Sequence, residues 1–345
     1  MRKLAALVLL LCLAGAGWVA WDLNRPYRGF AAPEKVEIAP GTPVPAIAAL
    51  LVSRGVLAHQ LPFLIRYWIA RKHHSLKAGE YYFDRPLRPI DVYRKLAAGD
   101  VYLYSVVIPE GSDRFDIARI LAARLGIDPD RFLAETQKTS IIRNLDPQDP
   151  SLEGYLFPDT YRFPRGTTAD TVIATMVARF RHVLRTKFHD EMSAGTANLH
   201  DVVTLASLVE KETPDLAERP VVAGVFTRRL EKGMLLQCDP TVSYAARLTG
   251  HPITEIHASD LRLDSPFNTY RYGGLPPGPI ANPGESALRA AFHPADGNAL
   301  YFVSNNHGGH VFAASLAEHQ RNVARYRKEV AARQKAKSAA AVGPE

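Results

Sequence analysis

An α+β fold behind a single membrane-spanning helix is the architecture this sequence predicts. Three observations predict it. Met1, Arg2 and Lys3 are followed by an uncharged apolar run over residues 4–21. Short β-branched and aromatic runs then alternate with amphipathic helical runs. Finally, 47% hydrophobic against 22% charged residues in a chain of 345 is enough to close the cores of two domains.

The apolar run has the length a bilayer requires, and Trp18 and Trp21 stand where an interfacial aromatic belt would lie. A cleaved signal peptide is the alternative, with Ala14, Gly15 and Ala16 as its small-residue site, but the uncharged run continues beyond them. Cys12 follows Leu10 and Leu11 rather than small residues, which argues against a lipoprotein anchor. Residues 1–3 are therefore expected as a cytoplasmic tip and 4–21 as a single-pass span of the inner (plasma) membrane, with everything after Asp22 outside the cytoplasm. Residues 22–35, with Pro26 and Pro33, read as a tether. Cys238 is the only other cysteine, so no intrachain disulfide is expected in the exported part.

A weak internal repeat follows. "VEIAPGTPVPAIAALLVSRGVL" from Val36 resembles "VVIPEGSDRFDIARILAARLGI" from Val106, with Ile38, Gly41, Ile47 and Ala48 matching Ile108, Gly111, Ile117 and Ala118. Each copy reads as a strand, a glycine turn, and a Thr or Ser able to cap a helix with an Ile-Ala core face. Between them "GEYYF" and "VYLYSVVI" are strand-like, and "PIDVYRKLAAG" is a helix opened by Pro89 and closed by Gly99. Residues 36–105 thus form a small α+β subdomain, whose pattern resembles LysM, a module that binds N-acetylglucosamine chains. A bare structural βα unit fits the same pattern.

Residues 106–330 form the second, mixed α+β domain. Helices are expected over 114–125, 170–188, 201–212, 218–232 and 286–292, strands at "LYFVS" and "HVFAA", and a last helix from Ser315. Residues 331–345 read as a frayed helix end running into a disordered basic tail. The formal net charge of +7 suits a partner rich in carboxylates or phosphates, such as a bacterial wall or an anionic membrane. Nucleic acid would also suit the charge, but an exported body rarely meets it.

Four stretches read as binding loops: "LEGYLFPDTYRFP", "QCDPTVSY", "SPFNTYRYGGLPPGPIANPG" and "HPADGNALYFVSNNHGGHVF". Planar rings beside amides and carboxylates suit the apolar faces and hydroxyl rims of an oligosaccharide. His251, His257, His293, His307, His310 and His319 fit no zinc spacing, and no Gly-x-Ser-x-Gly elbow occurs. No metal or cofactor is expected. On a helix that begins at Asp201 and runs through "LASLVEKET", at about 100° per residue, Val202, Leu205, Ala206 and Val209 form an apolar stripe, with Thr204, Ser207 and Lys211 opposite. Glu210 falls inside the apolar arc, where lost solvation would keep a carboxyl protonated as a general acid requires, unless it pairs with an arginine. Glu212 falls on the other flank, beside Leu205 and Leu208, and is expected to pair with a basic residue.

Together, "ASLVEKET", "LEGYLFPDTY", "QCDPTVSY", "SPFNTYRYGGLPPGPIANPG" and "ALYFVSNNHGGHVFAASLAEH" behind one N-terminal span resemble the endolytic murein transglycosylases, the MltG or YceG family. The resemblance implies lytic cleavage between N-acetylmuramic acid and N-acetylglucosamine of peptidoglycan glycan strands, leaving a 1,6-anhydro end. It makes Glu210 the catalytic acid and base, and Glu153, Asp159, Gln237, Asp239, Tyr244, Asn268 and Tyr270 the expected substrate contacts. Cys238 stands where Thr or Ser is usual, and Phe267 where Tyr is usual. A single carboxylate is chemically sufficient, because the muramyl C6 hydroxyl can attack in place of water and then give its proton to the same group. Partners expected are glycan strands, the membrane, and peptidoglycan synthases. A membrane-anchored wall-binding scaffold without catalysis is the alternative.

Overall fold

The structure, a computed structural model, describes residues 1–70, 75–195 and 198–341. Its elements run α1 (Arg2–Asn24), β1 (Glu34–Ile38), α2 (Val44–Ser53), α3 (Gln60–Ala70), β2 (Gly79–Phe83), α4 (Pro89–Ala98), β3 (Leu103–Val107), α5 (Arg114–Leu125) and α6 (Pro129–Glu135). There follow β4 (Thr160–Pro164), α7 (Ala169–Lys187), α8 (His189–Ala194), α9 (Leu199–Glu212), α10 (Arg219–Glu231), α11 (Asp239–Leu248), α12 (Glu285–Phe292), β5 (Tyr301–Ser304), β6 (His310–Ala313) and α13 (Leu316–Ala341). The strands make three two-stranded sheets, β1 with β2, β3 with β4, and β5 with β6. The fold is mixed α+β.

The chain divides into two compact units, Met1–Ser105 with Arg162–Thr167, and Val106–Tyr161 with Thr168–Glu345. In the first, α1 is long and apolar enough to cross a membrane, and none of its apolar window is buried by the protein. Below it, β1 and β2 pair antiparallel with Val36 opposite Tyr81, so Val36, Ile38, Tyr81 and Phe83 share one buried face. Ile47, Leu51, Val92 and Leu96 from α2 and α4 close that core.

Both copies of the internal repeat show a strand, a glycine at positive φ (+79° at Gly41, +72° at Gly111) and a helix burying Ile47–Ala48 or Ile117–Ala118. Their caps differ from expectation. Thr42 turns its hydroxyl back to the Ala39 carbonyl at 2.7 Å, which leaves Pro43 at the cap, whereas α5 is capped by Asp113, which accepts from the Phe115 and Asp116 amides at 2.9 Å.

Helix α9 is the axis of the second unit. It was expected to bury one stripe, yet every residue from Val202 to Val209 is buried, Thr204 and Ser207 included. α12, α10 and α11 all pack against it, and on the side of Thr204 and Ser207 the chain at Ile280 closes over the helix. Ser207 tolerates burial because its hydroxyl donates to the Thr204 carbonyl at 2.7 Å and accepts from the Ile280 amide at 3.0 Å.

Three further expectations change. "QCDPTVSY" is not a loop, because Pro240 sits in the first turn of α11, where its missing N–H is no loss. "TYRFP" closes its stretch as strand β4. α13 remains helical to Ala341 rather than fraying near 331, as its Ala, Lys, Arg and Gln composition favours. The tail's last residues, 342–345, lie outside the described residues.

Gly154 holds the "LEGY" turn against α9. Its φ is +85°, and a Cβ there would lie 2.5 Å from Pro279 and 2.8 Å from Val203. Gly154→Ala therefore combines a strained backbone with a clash and is expected to destabilise by more than about 1 kcal/mol, read as a lower urea midpoint.

Candidate active site

Two glutamates end helix α9, and the structure gives them opposite surroundings. Glu210 has a side chain 5% exposed, and both its oxygens are occupied: Arg219 donates at 2.6 Å to Oε1 and 3.1 Å to Oε2, and the Gly284 amide donates to Oε2 at 3.0 Å. Arg219, at the start of α10, is itself buried and also lies 3.8 Å from the exposed Glu110. Burial pushes the Glu210 carboxyl upward, against the Gly284 amide and the Arg219 guanidinium, which favour its charge. A carboxylate gripped bidentately by a guanidinium, with a third donor on the same group, has the geometry of a structural ion pair.

Glu212 is the last residue of α9, where the helix carbonyl end disfavours negative charge. Its carboxyl lines a cavity of about 360 Å³, together with Arg229, Gln237, Asp239, Tyr270, Ser304, His310, His319 and Tyr326. Burial pushes its pKa to about 7, the nearby Asp239 charge pushes the same way, and a hydrogen bond from the Cys238 thiol opposes both. Burial thus favours the protonated form of this group, which faces a space lined with hydroxyl, amide and imidazole groups. The basic partner expected for Glu212 is found instead on Glu210.

The sequence around the cavity explains its walls. Pro240 starts α11 and sets Asp239 in its first turn, where the Tyr270 hydroxyl donates to it. Gln237 adopts φ +52° as its amide donates to the Thr269 carbonyl at 3.1 Å, which turns the chain into the helix. Arg229 is buried and spends its guanidinium on the Leu300, Leu235 and Leu236 carbonyls, so it shapes the floor. A second cavity of about 420 Å³, with Lys211, Ser243, Tyr244 and Arg247 in its lining, also includes Asp239, so the two spaces adjoin at that residue.

Of the expected contacts, Gln237, Asp239 and Tyr270 line the first cavity and Tyr244 the second. Three do not. Glu153 is 1% exposed and accepts from the Arg114 amide, the Tyr244 hydroxyl and Asn282, a buried hub whose carboxyl burial pushes to about 8. Asn268 is fully buried and braces its own turn by donating to the Leu261 and Leu263 carbonyls. Asp159 pairs with Arg179 at 2.6 Å. Glu153 and Asn268 have no surface left for a sugar.

His310, Ser304 and Tyr326 are not among the contacts expected from sequence; Ser304 and His310 lie in the quoted "ALYFVSNNHGGHVF" stretch, whereas Tyr326, on α13, lies in no quoted motif. Another convergence of ligand-type groups is Asp146, Asp149 and His200, where His200 Nδ1 lies 2.6 Å from Asp146 Oδ2. The Tyr155 hydroxyl donates to the same oxygen, which reads as an internal ion pair bracing the start of α9. None of these three residues lines the cavity.

Known proteins share this arrangement of sequence. An endolytic murein transglycosylase of Bacillus subtilis is 33% identical over 84% of this chain and 84% of its own length. A second protein so named, from Streptococcus pneumoniae, is 31% identical over 84% of this chain but 58% of its own length. A YceG-like protein of Listeria monocytogenes with a crystal structure is 31% identical and superposes with a TM-score of 0.57 over 85% of this chain and 99% of that one. Residues 36–325 match the YceG-like family, and with these relatives they show that the chain belongs to it.

Proposed function

We propose that the chain is a lytic transglycosylase that cuts peptidoglycan glycan strands at the bond between N-acetylmuramic acid and N-acetylglucosamine, with Glu212 as the proton donor. The observation that carries the reading is the contrast within "VEKET": one glutamate is closed off by Arg219, while the other opens into a polar cavity with its pKa near neutrality. Protonated Glu212 gives its proton to the leaving O4 of N-acetylglucosamine. The muramyl C6 hydroxyl, already in the same molecule, then closes on C1 with an effective concentration that water lacks. Asp239, shared by both cavities, lies where a strand crossing from one to the other would pass, as internal cleavage requires.

The basic N-terminus and apolar α1 support a single-pass anchor with its tip in the cytoplasm and the body outside, in reach of nascent strands. The strand, glycine turn and Ile-Ala helix of the first unit favour a LysM-like role in holding glycan, and that unit has a cavity of its own of about 300 Å³, lined by Glu37, Glu80 and Arg165. Peptidoglycan synthases remain the partners this placement favours.

Mass spectrometry of glycan digested by the detergent-solubilised chain tests the reading. Anhydro-muramyl ends are expected. Reducing ends as the main product would mean that water attacked, with Asp239 the carboxylate placed to activate it.

A further inference from the structure

Closing the anhydro ring requires a base for the C6 hydroxyl proton, and the cavity holds a group built for that task. His310, the first residue of β6, lines the same space as Glu212 and Asp239. Glu218 grips it twice: the His310 ring Nδ1 lies 2.7 Å from Oε2, and the His310 amide donates to Oε1 at 2.7 Å. Thr213, one residue past Glu212, donates its hydroxyl to Glu218 Oε2 at 3.3 Å from the other side. Phe302 meets the imidazole edge-on at 5.2 Å and limits its rotation. A carboxylate on Nδ1 fixes that nitrogen as the N–H donor and leaves the lone pair on Nε2.

The chain has been shaped around this grip. A Cβ at Gly309 would lie 2.5 Å from Glu218 Oε1, so the carboxylate reaches the His310 amide only because residue 309 is glycine. His319, the other histidine of the cavity, has no such support, and its Nδ1 is buried without a hydrogen-bond partner.

We propose that His310, oriented by Glu218, is the catalytic base that removes the proton from the muramyl C6 hydroxyl while Glu212 protonates the leaving oxygen. The inference rests on the transglycosylase reading above. In the step, the C1–O4 bond breaks and its electron pair takes the Glu212 proton. The O6–C1 bond forms, and the O6 proton passes to His310 Nε2. Transfer of that proton to the Glu212 carboxylate, directly or through solvent, resets the site. A single carboxylate must give up one proton before it can accept another, whereas two groups let both transfers proceed together. Glu218 is the positioning residue.

The test uses the full chain in detergent with purified glycan strands, counting anhydro ends. His310→Gln is expected to lower kcat by about 10²-fold or more with KM little changed. Glu218→Gln should lower kcat as well, because an amide no longer imposes one tautomer. His310→Ala should recover rate when imidazole is added, which a merely structural histidine would not do. Wild-type kcat in His310→Gln, a loss confined to KM, or an inactive His310→Ala that imidazole fails to rescue would each overturn the proposal. If Glu212→Gln is inactive in the same assay, only the base assignment falls; if Glu212→Gln is active, the underlying reading falls with it.

Discussion

A Glu212→Gln chain is expected to lose roughly 10² to 10⁴ of its strand-cleaving rate while keeping its fold and its affinity for glycan. The amide has the shape of the carboxyl and can still accept a hydrogen bond from the Cys238 thiol, but it has no proton to give. The wild-type pH profile carries the same information. A general acid works only when protonated, so kcat/KM should fall as pH rises through about 7, the value to which burial pushes Glu212. That alkaline limb is expected to vanish from whatever residual activity Glu212→Gln retains. Full activity in Glu212→Gln would return the acid's role to Glu210.

Much of the architecture was legible because local rules carried it. Pro89 and Gly99 bound α4, and Gly41 and Gly111 mark the two repeat turns at positive φ. The site was legible only as a set of motifs. Helical periodicity placed Glu210 inside an apolar arc and Glu212 on its other flank, with Thr204, Ser207 and Lys211 opposite. The chain at Ile280 closes over Ser207 on that face and α10, α11 and α12 pack against the same helix, so direction on the helix stopped predicting exposure. What separates Glu210 from Glu212 is a residue nine positions on, Arg219, and an amide from Gly284, neither of which a helical wheel contains. Glu153 and Asn268 show a related effect: polar groups in aromatic loops suit sugar binding, and here both are buried with their hydrogen bonds made to the loops themselves. Cys238 read as a departure from the family pattern, and its thiol hydrogen-bonds the Glu212 carboxyl.

Arg219→Met is expected to destabilise the fold by about 3 to 5 kcal/mol, the effect of removing one partner from a buried ion pair. Both side chains are 5% exposed, so the guanidinium's loss leaves the Glu210 carboxylate buried with only the Gly284 amide as a direct hydrogen-bond donor. Burial already pushes that carboxyl upward, so part of the penalty is relieved by protonation. Glu210→Gln leaves a buried guanidinium that cannot neutralise itself, with only the exposed Glu110 at 3.8 Å to offset its charge, and should also destabilise. Replacing both, Glu210→Gln with Arg219→Met, removes both charges and should recover stability relative to the sum of the single changes. Urea midpoints across this cycle give the coupling, expected at more than about 1 kcal/mol for groups in direct contact. The cycle also bears on chemistry. If Glu210 holds the fold rather than the proton, the rate per folded molecule should stay within about tenfold of wild type in the double variant, a loss far smaller than general acid catalysis contributes. A double variant that is stable, folded and inactive would mean that the α9 carboxylate under Arg219 does take part in the reaction.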